Sequence, residues 1–273
     1  CDITLKQCVL YDLRREGISL VHADGVLIED CKAINMGQTE YTPPSFGIDI
    51  EPNKNKSVRN VIIRKFVTEN THADYAFATS GYQFDGINYN RENVILDKCY
   101  FDRGLAIISG GITIKNSSMK KIGLFPINVP NGAPGLVMFE NCAIEEGNGI
   151  QFDGKRKLNP QLPYPTYQFK NCTITASSVY PPIAGLIWGT DLHNIKAQMV
   201  FDKCVIELKQ GIKGNKLFAD GINFESSFNN CIIKLNDYKV NQDKTKFLKC
   251  KIESSSNDFH VNKVNLIKCR IVS

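Results

Sequence analysis

Phe139-Glu140-Asn141-Cys142-Ala143-Ile144 decides the fold, because the same phrase returns along the whole chain. Phe169-Lys170-Asn171-Cys172-Thr173-Ile174 and Phe201-Asp202-Lys203-Cys204-Val205-Ile206 are near copies. Its central slot holds Cys8, Cys31, Phe66, Cys99, Ser117, Cys142, Cys172, Cys204, Cys231, Cys250 and Cys269. Ten steps cover 261 residues, a mean of about 26, and a period in that range with one strand-like phrase per repeat signals a solenoid.

Each phrase reads as two short strands meeting at a tight bend. Val137 and Phe139 alternate with Met138 and Glu140, the period of a half-buried strand. Asn141 breaks the alternation, and Asn tolerates the left-handed conformation that lets one residue turn the chain. Cys142 and Ile144 then resume the inward pattern. A second phrase alternates with the first, led by Gly: Gly47-Ile48-Asp49-Ile50-Glu51, Gly81-Tyr82-Gln83-Phe84-Asp85, Gly149-Ile150-Gln151-Phe152-Asp153 and Gly221-Ile222-Asn223-Phe224-Glu225. Three short strands per repeat, stacked in register, predict an all-β, single-domain parallel β-helix of about ten turns over residues 1–273.

The chain resembles the pectate-lyase-like superfamily of right-handed parallel β-helices, through the Gly47–Asn53 stretch and the repeated Asn-Cys bends. That superfamily includes pectinases, alginate-modifying enzymes and phage tailspike depolymerases. The resemblance implies a polysaccharide-degrading protein, a glycoside hydrolase or lyase, located outside the cell, at its surface or on a phage virion. It also leaves room for a homotrimer of the tailspike kind. Fold alone does not define activity, so a carbohydrate-binding adhesin or structural stalk is the alternative.

Composition bounds these readings. A 42% hydrophobic content suits one long core, and no run of eighteen apolar residues is present to span a membrane. A net charge of +5, spread without a block, argues against nucleic acid as a partner. Nine of the ten cysteines fall in the slot, so they read as a reduced internal ladder of small apolar side chains. The absence of Cys-x-x-Cys argues against zinc. Ile3 and Leu5 are already in strand register, which suggests a fragment lacking an N-terminal cap.

The candidate site lies on the outward side of the Gly-led strand. Aligned on glycine, one outward column reads Ser19, Asp49, Gln83, Ala106, Phe125, Gln151, Ile187 and Asn223, and the next contains Glu51, Asp85 and Asp153. On consecutive turns Glu51 and Asp85 would be neighbours at ~4.8 Å, with Asp49 ~6.5–7 Å from Glu51 along the strand. Carboxylates that close force one pKa upward, and an acid beside an ionised partner is what glycoside hydrolysis needs. Asp49, Glu51 and Asp85 are therefore the expected catalytic residues. Tyr41, Tyr75 and Tyr89 would stack on sugars, Gln83 and Asp153 would line the groove, and Arg156 would hold an anionic polymer. No cofactor is expected for a hydrolase, whereas a lyase would take Ca²⁺ on the same oxygens.

Overall fold

The computed structural model describes residues 2–37, 46–52, 56–79, 90–108, 110–125, 135–153, 164–176, 187–190, 197–208, 217, 225–235, 244–254 and 265–272. They form a parallel β-helix. One eleven-stranded sheet runs in chain order from Ile3–Lys6 to Asn265–Ile267, and a sixteen-stranded sheet carries the other faces. The Ser118–Phe125 and Ala143–Asp153 strands are long enough to turn the corner between those faces, pairing at one end with the strand after each bend and at the other with the Gly-led strand.

The bend is where the sequence shapes the coil. Asp30, Lys65, Lys98, Asn116, Asn141, Asn171, Lys203, Asn230, Lys249 and Lys268 all adopt φ between 51° and 56°. A left-handed residue at that point turns the chain and returns the next side chain to the interior. The asparagines also bind each other across coils. Asn171 donates to Asn141 Oδ1 at 3.2 Å, Asn141 to Asn116 Oδ1 at 3.1 Å, and Asn116 to Asp97 Oδ1 at 2.8 Å.

Inside the bend, Cys31, Cys99, Cys142, Cys172, Cys204, Cys231 and Cys250 are buried and unbridged. Each thiol reaches a carbonyl of the preceding coil, as in Cys172 Sγ to Phe139 O at 3.5 Å and Cys204 Sγ to Phe169 O at 3.4 Å. A small side chain with a weak donor suits this slot, filling the corner while meeting an oxygen already inside it. Burial pushes the Cys99 thiol up to about 11. Beside the ladder, Phe139, Phe169, Phe201, Phe228 and Phe247 stack with centroids 4.6–4.9 Å apart.

The third face differs from the expected register in one coil. The strand that pairs with Ile48–Ile50 is Tyr75–Thr79, with Asp49 opposite Ala78 and Ile50 opposite Thr79. The Gly81-led phrase lies outside the described residues. Both stretches alternate with period two, but Tyr75–Thr79 begins only five residues after the Val67–Glu69 strand ends and so closes the coil with the shorter connection. The column in register with Asp49 is therefore Ser19, Asp49, Ala78, Ala106, Gly123, Gln151 and Trp188. Ala78 stands where Gln83 was expected, Gly123 where Phe125 was, and Trp188 where Ile187 was.

Candidate functional site

Of the three expected carboxylates the structure describes Asp49 and Glu51. Asp49 is 1% exposed, although its register position faces outward. Its lateral neighbours are Ser19 and Ala78, not an acid. Its carboxylate instead acts on Arg91, which sits inside the coil in register with Val58. Burial brings the Arg91 guanidinium down to about 10, and the Asp49 charge opposes that fall. Arg91 also donates to the Ile108 carbonyl. Asp49 thus lies in the field of a buried cation and not in open solvent. Glu51 is partly exposed, and its amide donates to Leu20 O at 2.9 Å. Asp85, Tyr41, Gln83, Tyr89 and Arg156 lie outside the described residues.

Tyr75 is likewise built into the structure. Its hydroxyl donates to Gln151 Oε1 at 3.2 Å, Lys121 Nζ stands 4.7 Å from its ring centroid, and Phe125 meets it edge-on. A side chain at Gly104 or Gly123 would collide with the Tyr75 ring, so the two glycines form the bed on which it lies. A ring so engaged is not an open platform for a sugar. Asp153 ends its strand opposite Thr190, four strands along the face from the Asp49 position. Among the described residues, no group of three or more His, Cys, Asp or Glu is placed to hold a metal ion, and no helix is long and apolar enough to cross a membrane.

The residues with an organised, accessible arrangement lie on the eleven-stranded sheet. Immediately before each bend the outward residue is, in order, Lys6, Glu29, Arg64, Asp97, Lys115, Glu140, Lys170 and Asp202. The sign alternates without a break over eight coils. Adjacent members meet, with Lys6 to Glu29 at 3.0 Å, Arg64 to Glu29 at 2.5 Å, Lys115 to Asp97 at 3.9 Å and Lys170 to Glu140 at 2.8 Å. Two residues earlier, the parallel outward column reads Thr4, Leu27, Ile62, Ile95, Thr113, Met138, Gln168 and Val200. Ile62 is 42% exposed, and Leu136, two residues before Met138, 38%. Further along, the face turns polar around an open cavity of about 390 Å³ lined by Gln198, Glu225, Ser227, Lys244 and Lys246.

Sequence reasoning missed these columns by looking for function on the Gly-led strand alone. The signal was available in the organising phrase, where the residue before the bend changes sign from one copy to the next through the first eight copies.

No protein-family model matches the sequence, and no curated protein does. Among solved structures, the chain is similar to a trypsin-treated variant of QnrB1, a plasmid-mediated fluoroquinolone resistance protein, at 11% identity. That match covers 99% of this chain and 90% of the other, with a TM-score of 0.31. Full-length QnrB1 matches at 12% identity over 97% and 93% of the two chains, also with a TM-score of 0.31. The chain is a parallel β-helix, and the resemblance holds at that level without extending to the pectate-lyase-like superfamily.

The functional expectations are corrected on these findings. Glycan degradation by a glycosidase, lyase or tailspike-like enzyme rested on the pectate-lyase-like resemblance and on a set of carboxylates of which Asp49 is buried. The solved structures found similar are of a fluoroquinolone resistance protein. The polysaccharide partner is corrected with the glycan-degrading function, and the adhesin alternative is not supported either. The exclusion of nucleic acid rested on net charge alone and is also withdrawn.

Proposed function

We propose that the chain is a rigid, non-catalytic scaffold that docks a protein partner on the outward face of its eleven-stranded sheet. The observation that carries this reading is the pairing of two columns on that face, an apolar row centred on Ile62 and Ile95 beside a row of alternating charge. Apolar side chains exposed in a row and rimmed by polar ones mark an interaction surface. Alternating charges cancel over distance but give a fixed local pattern, which confers register and specificity more than long-range attraction. The interior supports the role, because one buried column, Ile28, Ile63, Leu96 and Ile114 followed by the stacked Phe rings, packs behind this face. This reading draws on the β-helical fold and not on membership of the pectate-lyase-like superfamily.

The test places a photo-crosslinking amino acid at position 62, with position 100 on the opposite sheet as control, in protein expressed in its native host. Adducts with one defined protein from position 62, identified by mass spectrometry and reproduced with that protein purified, are the expected result. Ile95→Asp should reduce them at least tenfold while leaving the melting curve in place. Equal adducts from both positions, or none from position 62, would overturn the reading.

A further inference from the structure

We infer that a partner docking on this face is a second copy of the same chain, packed with its helix axis reversed. The inference rests on the docking reading above and deepens it. The charge column has an even number of members, eight, with strictly alternating sign. A two-fold axis along the strand direction, passing between Asp97 and Lys115, brings each member against one of opposite charge. Lys6 then faces the other copy's Asp202, Glu29 faces Lys170, Arg64 faces Glu140, and Asp97 faces Lys115. Such an isologous contact uses the same patch twice.

The same axis brings the apolar column onto itself. Ile62 meets Met138, and Ile95 meets Thr113 beside the axis. A copy packed with parallel helix axes fails this test. It would lay the charge column against the opposite flank of the face, where Gly25, Asn60, Asn93, Gly111 and Leu136 stand without charge and Asp2 beside Gly25 is a lone anion. The existing ion pairs within one chain do not exhaust the cations, because the side chains of Lys6, Arg64, Lys115 and Lys170 keep 54%, 42%, 37% and 42% exposure.

Size sets the strength of the contact. Eight strands spaced ~4.8 Å and five residues wide make a face of about 34 by 16 Å. Two such faces bury roughly 1,100 Å², just above the lower bound for a specific interface. The dimer is therefore weak, reversible and salt-sensitive, since exposed pairs are screened.

Sedimentation equilibrium of the purified chain tests this, in about 50 mM and about 500 mM salt. Concentration-dependent dimerisation is expected, weakened at least tenfold by the higher salt. Ile62→Asp should weaken it by a similar factor at unchanged circular dichroism. An Ile62→Cys/Met138→Cys variant should give a covalent dimer on mild oxidation, whereas Ile62→Cys alone should not. A chain that remains monomeric at every concentration and forms no such crosslink overturns the self-pairing. If position 62 still crosslinks to a different protein, the docking reading survives; if it crosslinks to nothing, both fall. Dimers insensitive to Ile62→Asp also overturn the proposal, because the contact then lies elsewhere.

Discussion

Glu140 accepts a hydrogen bond from Lys170 at 2.8 Å, one coil apart on the eleven-stranded sheet. It is one rung of a ladder in which every neighbour has the opposite sign. Sliding one coil past another by a single strand would set like charges side by side, so the ladder favours the native stacking order. Phe139 and Phe169, one residue inward on the same strands, lie stacked at 4.7 Å. Core and surface therefore specify the same register.

Acidification tests the ladder. The hydrogen bond from Lys6, with the nearby Arg64 charge, holds the Glu29 carboxyl below the usual carboxylate range. A folded-state pKa below the unfolded one contributes stability that is present above the unfolded value and lost as pH falls through the folded one. Lys170 shows the opposite case, since Glu140 raises it, so its contribution is present at neutral pH and is lost as pH rises through the raised value. Thermal melts of Glu29→Gln should therefore fall less steeply than those of the parent between about pH 5 and pH 2. Parallel declines would mean that Glu29 gains nothing from its neighbours.

The fold was legible because it repeats. Asn141, Asn171 and Asn230 each flag a left-handed bend, and the Cys after each bend is inward as its spacing requires. The setting of Asp49 was not legible, for two physical reasons. Gly81–Asp85 and Tyr75–Thr79 carry the same alternation, and only the closure length of the coil chooses between them. A column position also says which way a side chain starts, not what covers it. Asp49 starts outward yet is 1% exposed and lies within the field of a buried Arg91. No local pattern announces that Arg91 occupies a position held by Val58 one coil earlier.

The thiol ladder gives a direct chemical prediction. Burial disfavours the thiolate at Cys31 and Cys99, and only the thiolate reacts. Native protein should label slowly with a thiol reagent, and denaturant should expose all the ladder thiols together. Cys172→Ala should cost about 1–2 kcal/mol as a small loss of packing. Cys172→Asp buries a charge and should cost several kcal/mol, enough to abolish soluble expression. Prompt native labelling of most thiols, or equal tolerance of both substitutions, would contradict the packing.

Tyr167 offers a stabilising change. It is fully buried, in the inward column between Val137 and Met199, and its hydroxyl has no hydrogen-bond partner among the described residues. Burial also pushes its phenol pKa upward. A buried polar group left unsatisfied costs about 1–3 kcal/mol. Tyr167→Phe keeps the ring and its edge-on contact with Phe152 and should raise stability by about 1 kcal/mol in denaturant titration. A loss of similar size would show that the hydroxyl is satisfied.

The Asp49 and Arg91 pair yields the sharpest separation between a catalytic and a structural carboxylate. Removing one member of a buried ion pair strands the other and costs about 3–5 kcal/mol, whereas replacing both with apolar groups is often neutral. Asp49→Ala should therefore destabilise strongly, because the Arg91 guanidinium stays buried with its bond to the Ile108 carbonyl and loses the charge that offsets its desolvation. Arg91→Met should be comparably costly, since it leaves the Asp49 carboxylate in a site 1% open to solvent. The double variant Asp49→Ala/Arg91→Met should recover about 2 kcal/mol or more relative to the sum of the single changes, a coupling that a double-mutant cycle reads from denaturation midpoints. A solvent-facing catalytic carboxylate would give another pattern, with Asp49→Ala neutral or stabilising and additive with Arg91→Met. Additivity within about 0.5 kcal/mol would place the two side chains in separate roles and return Asp49 to the surface.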